Sequence, residues 1–118
     1  MRQLVEHLRW AGRPLRGNMD AYRAVRFAAL NEAYSRAAAE VERAAREGNQ
    51  ALLALAERLR ERSLSGETPE DLPIPVWRED RPTPELDRAR TRREQQIGFG
   101  LGLAQAAARI HISAGGRL

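Results

Sequence analysis

Arg88, Arg90, Arg92 and Arg93 put four guanidinium groups into six residues, with Gln95 and Gln96 close behind them. A guanidinium is a planar, permanently charged fork of donors that fits the edge of a phosphate or a carboxylate. At about 100° per residue on a helix, Arg88 and Arg92 share a face with Gln95 and Gln96, whereas Arg90 and Arg93 point elsewhere. Arginine and glutamine on one exposed ridge suit phosphate contacts with an occasional base contact. The chemistry these residues can do is therefore binding of a polyanion, DNA or RNA, through Arg88, Arg90, Arg92, Arg93 and Gln96. Arg13, Arg16, Arg23 and Arg26 form a second basic group. Arg23 and Arg26 break the apolar face of a long helix. Either their stems cover the end of the core, or they complete an anion site with Arg13 and Arg16.

Other chemistries lack their parts. His7 and His111 are the only histidines, at opposite ends of the chain, and there is no cysteine. A metal centre needs several convergent ligands with an oriented second shell, so neither a metal nor a cofactor is expected. The Glu-x-x-His signature of di-iron bundles is absent. Gly98-x-Gly100-x-Gly102 fails as a dinucleotide loop, because position 103 is Leu103 and a basic helix, not a strand, precedes it. No thiol or histidine-activated serine offers a nucleophile. Gly115 and Gly116 read as a helix stop. The chain is expected to be non-enzymatic.

At 118 residues the chain has the length of a single domain with a modest core. All 20 basic residues are arginine. Net charge by segment is +3 for 1–18, 0 for 19–48, +1 for 49–66, −5 for 67–87 and +5 for 88–118. Basic ends around an acidic linker permit pairing within the molecule as readily as pairing with an anionic partner. No apolar run has the length of a membrane span or the pattern of a secretory leader, so no membrane partner is expected and the cytoplasm is the default location.

The elements that must position the arginines follow from periodicity. Residues 1–11 read as a short helix with Leu4, Val5 and Leu8 inward, stopped by Gly12 and Pro14. Met19 to about Glu47 is a long amphipathic helix with Met19, Tyr22, Ala29, Leu30, Ala33, Tyr34, Ala37, Val41 and Ala44 on one face. Glu32 is placed to pair with Arg36 four residues on. Gly48 breaks that helix and Asn49 is a candidate cap for the next, 50–64, with Leu52, Leu55, Ala56 and Leu59 inward and Gly66 closing it. The short connection implies an antiparallel αα-hairpin. Residues 67–83 form an acidic, proline-rich linker. Leu72, Ile74 and Val76 alternate against a surface, and Glu67, Glu70, Asp71, Glu79 and Asp80 are available to the arginines of the last helix.

Thr83-Pro84-Glu85 carries cap, proline and dipole-favoured charge for a final helix over 84–114, basic and then apolar. Ile97, Leu101, Ala104, Ala108 and Ile112 make one apolar stripe of that helix. Phe99, Leu103, Ala106 and Ile110 make another on the opposite side. Gly98 and Gly102 lie between them on one ridge where a second backbone can approach. A helix apolar on two sides wants neighbours on two sides, either inside a bundle or across subunits. With Gly98, Phe99, Gly102, Leu103, Ala106 and Ile110 as the packing or oligomer interface, the expectation is an all-α bundle of three to four helices. It has a long central αα-hairpin, a Pro-rich extended linker and a C-terminal helix, in a homo-oligomer or a larger assembly. Two functions fit: a nucleic-acid-binding subunit, or an assembly subunit whose arginines pair with acidic protein surfaces.

Overall fold

Alanine along the apolar face of a helix leaves room for another helix to come close. The computed structural model, which describes residues 4–5, 21–75 and 85–115, is built on that proximity. Among the described residues three long helices form the bundle, α1 (Ala21–Glu47), α2 (Asn49–Ser65) and α3 (Arg88–Ser113), and there is no strand. Leu4 and Val5, all that is described of the expected first helix, are helical, and Leu4 joins the core.

α1 buries Ala29, Ala33, Tyr34, Ala37, Val41 and Ala44 of the face the periodicity predicts, and adds Val25, Asn31 and Ala38 to it; Met19 lies outside the described residues. Tyr22 and Leu30 are only partly covered. α2 buries Leu52, Leu55, Ala56 and Leu59, the four residues its spacing selects. Asn49 does not cap it. Gly48, at φ 105, is the cap residue, and no side chain bonds to the first turn. Gly66 closes α2 in the left-handed region at φ 73, its N–H donating to the Ser63 carbonyl.

The αα-hairpin of α1 and α2 exists, but it is not the centre of the bundle. The largest helix–helix interface is α1 with α3, and the hairpin partners share the smallest. α3 runs parallel to α1, with Glu94 beside Arg26, Gly102 beside Leu30 and Ala33, and Gln105 beside Tyr34. It runs antiparallel to α2, where the Ser63 hydroxyl donates to the Gly100 carbonyl at 2.7 Å.

Glycine makes the first of these contacts possible. A Cβ on Gly98 would be driven into the Arg26 carbonyl, and one on Gly102 would stand 2.6 Å from the Ala33 Cβ and 2.7 Å from the Leu30 carbonyl oxygen. Both lie well inside van der Waals separation, so α3 seats on α1 only because these positions lack side chains. Phe99, Leu103, Ala106 and Ile110 then turn into the core, which also holds Leu52, Leu55 and Leu59.

The last helix differs from its expected form in two ways. It begins at Arg88, not at residue 84: Glu85–Asp87 are non-helical, while Thr83 and Pro84 lie outside the described residues. Asp87 is the cap, accepting the Arg90 N–H at 2.8 Å, and its own N–H donates to the Tyr22 hydroxyl at 3.0 Å. That anchor to α1 sets where the helix starts. Secondly, α3 is not enclosed on two sides. Its Phe99 side is buried and its Ile97 side faces out.

The linker is a strap. Leu72 is buried, but Ile74 is 46% exposed, so the expected alternation against the bundle does not hold; Val76 lies outside the described residues. Asp71 pairs with Arg36 of α1 at 3.3 Å, not with an arginine of the last helix. Glu67 and Glu70 make no ion pair among the described residues, and Glu79 and Asp80 lie outside them. Among the described residues no helix is long and apolar enough to cross a membrane.

Candidate interaction surface

The arginines of the expected polyanion site divide into those used inside the chain and those that face water. Arg92 is used inside. Its two terminal nitrogens donate to the Pro69 and Thr68 carbonyls, both at 2.7 Å, and one also reaches Gln95 at 3.3 Å. The last helix thus grips the strap by its backbone, where the sequence pointed to the strap's carboxylates. Gln96 donates to the Gly66 carbonyl at 3.3 Å, so it too braces the strap. Arg26 is closed onto Glu94, with Nε to Oε2 at 2.6 Å and Nη2 to Oε1 at 3.2 Å. Glu94, only 9% exposed, is the residue that sequence reasoning passed over.

Arg90 lies over the Tyr22 ring, 3.9 Å from its centroid, which fixes the guanidinium plane without removing it from solvent. Arg88 and Arg93 are exposed and have no partner among the described residues. Arg23 is exposed on the neighbouring turn of α1, and Arg13 and Arg16 lie outside the described residues. Three cations therefore project from the first two turns of α3, with the exposed carboxylates of Glu85 and Asp87 at the same end. An open groove of about 870 Å³ separates this end from the strap, and Glu70 stands in it with Arg88.

Arg36 is the second internal brace. It takes Glu32 at 3.1 Å, as the four-residue spacing predicts, and Asp71 at 3.3 Å, with its guanidinium 5.8 Å from the centroid of the Phe99 ring. Burial works against its charge. The hydrogen bonds and charges of Glu32 and Asp71 more than offset that, and its pKa stands above the ordinary arginine value. It remains a cation throughout the working pH range.

Along the rest of α3 the outward side carries an apolar row, flanked by the exposed Gln105 and Arg109. Ile97 is 37% exposed, Leu101 45% and Ile112 54%, with Ala104 and Ala108 exposed between them. These five residues form one continuous ridge, because their spacing keeps them within a narrow arc of the helix. Gly98, Phe99, Gly102, Leu103, Ala106 and Ile110, the expected packing or oligomer interface, are all buried within the chain, where they serve as the packing face. Glu94 is the sole acidic residue of α3, so the ridge carries Arg93 at its front, Arg109 near its end and no exposed carboxylate. Leu64, on α2 one residue beyond the Ser63 that bonds to Gly100, is 79% exposed.

Among the described residues no three histidine, aspartate or glutamate side chains come together in a way that could hold a metal ion. The exposed side of α3 is a row of aliphatic side chains with arginines at the borders. Comparison of the chain with protein-family models, with curated proteins and with solved structures finds no match.

Proposed function

We propose that this chain is a non-enzymatic assembly subunit that docks through the outward ridge of α3 onto another α-helix. The observation that supports this reading is the exposure of Ile97, Leu101 and Ile112 in a single row on a helix whose other side is fully packed. Scattered apolar residues on a surface need no explanation, but a contiguous row of them does. The alanines between them let another helix approach closely, and the arginines at its borders favour acidic or carbonyl-rich surroundings. A nucleic acid has no use for the aliphatic ridge. The test is the Leu101→Arg variant: assembly is lost while helicity and unfolding midpoint stay at the wild-type level, because the position is already exposed. Unchanged assembly refutes the reading.

Nucleic-acid binding is a second reading, favoured by Arg88, Arg90 and Arg93 projecting from the leading turns of α3. It is narrower than the sequence suggests, since Arg26, Arg92 and Gln96 are used internally. Its test is a labelled duplex or single strand at low salt, where binding must fall steeply as salt is raised.

A further inference from the structure

We infer that the occupant of the α3 ridge is the same ridge of a second copy of this chain, with the two helices antiparallel. This rests on the docking reading above. Ile97, Leu101, Ala104 and Ala108 are spaced by four, three and four residues, the alternation of the two core positions in a coiled-coil seam. The large side chains fill the first half of the seam and the alanines the second. In antiparallel pairing about a two-fold axis, Ile97 faces the partner's Ala108 and Leu101 faces the partner's Ala104, and symmetry supplies the other two layers. Every layer then combines one large and one small side chain, so the helices keep one separation along the whole seam. Parallel pairing stacks isoleucine on isoleucine and alanine on alanine. It holds the helices apart at one end and leaves unfilled space at the other.

Charge selects the same arrangement. Arg88, Arg90 and Arg93 occupy the first turns of α3, and parallel pairing brings two such sets together. Antiparallel pairing sends them to opposite ends, where each set faces Arg109 of the partner's helix, level with Gln96, in place of a second set of three. In that register Arg93 lies level with the partner's Ile112, beside the last carbonyls of that helix, where a cation is favoured. From Arg93 to Ile112 the seam is about 28 Å long at a rise of 1.5 Å per residue. It is one helix wide and so belongs with the small interfaces, below about 1,200 Å² in total, whose association is weak and reversible.

The chain has no cysteine, so introduced thiols report the geometry directly. Ile97→Cys and Ala108→Cys variants, oxidised mildly, are compared singly and mixed on a non-reducing gel. The inference predicts that the mixture forms linked dimers several-fold more than either variant alone. Dimers formed equally by each variant alone mean parallel pairing and overturn it. Sedimentation over micromolar to millimolar protein supplies the second arm: the wild type becomes dimeric, and Leu101→Arg weakens self-association by at least about tenfold, the effect of an unpaired charge in the seam. A wild type that stays monomeric while a thiol at Leu101→Cys reacts freely overturns self-pairing alone. A thiol there that is shielded in the dilute monomer overturns the docking reading itself.

Discussion

Arg26 meets α3 twice. Its guanidinium holds Glu94 through two hydrogen bonds, and one turn along that helix its backbone carbonyl lies against Gly98 at the site a Cβ would need. The same turn of α1 is therefore clamped by a side chain and fitted by a bare backbone. Together they fix both the rotation of α3 and its distance from α1. That rotation is what sends Phe99 inward and Leu101 outward, and so it decides which residues a partner can reach.

The close approach predicts opposite outcomes for alanine at neighbouring glycines. Gly98→Ala and Gly102→Ala force α3 away from α1 and lose about 2–3 kcal/mol or more, the cost of overpacking against backbone. At Gly100 the nearest atom to a new Cβ is the Ser63 carbonyl oxygen at 3.8 Å, an ordinary contact. Gly100→Ala removes a poor helix former and gains up to about 1 kcal/mol. Urea unfolding of the three variants checks the pattern.

The clamp itself contributes modestly. The Arg26 side chain is 41% exposed and Glu94 12%, so solvent screens part of the attraction. A double-mutant cycle of Arg26→Met and Glu94→Gln yields a coupling of about 1 kcal/mol. Arg26→Met alone costs more than the double variant, since it leaves a mostly buried carboxylate without its partner.

Arg92 and Arg93 are adjacent and predict different behaviour. Arg92→Ala frees the Thr68 and Pro69 carbonyls, and hydrogen exchange of residues 67–75 rises while stability falls by about 1–2 kcal/mol, as expected for lost charge-assisted bonds. Arg93→Ala, exposed and without a partner among the described residues, changes stability by less than about 0.5 kcal/mol. Under the nucleic-acid reading the same Arg93→Ala lowers the salt dependence of binding by about one charge. Under the assembly reading it weakens self-association instead.

Much of the fold was legible in the residues. Leu52, Leu55, Ala56 and Leu59 were readable as the core of α2 because apolar spacing dominates where the side chains are large. The outward ridge could not be told from a second core face, since Ile97 and Leu101 look alike in sequence whether or not a neighbour covers them. Glu94 decides the matter. An isolated carboxylate in the basic run was the available sign that one face of that run turns inward, and Arg26, out of place on an apolar face, was its counterpart. Arg92 was beyond reach because its acceptors are backbone carbonyls, which leave no mark in composition. Asp87 outcompeted the Thr83-Pro84-Glu85 start signal through a hydrogen bond to Tyr22, a contact between residues far apart in the chain.

The most direct measurement is the reaction rate of a thiol at Leu101→Cys against one at Leu103→Cys, followed with a maleimide as protein concentration is raised. Leu101 is 45% exposed and Leu103 1%. The account predicts that the thiol at position 101 reacts nearly as fast as a free thiol in dilute protein and slows as the chains associate, while that at 103 stays protected throughout. Rapid reaction at 103, or a rate at 101 indifferent to concentration, contradicts it.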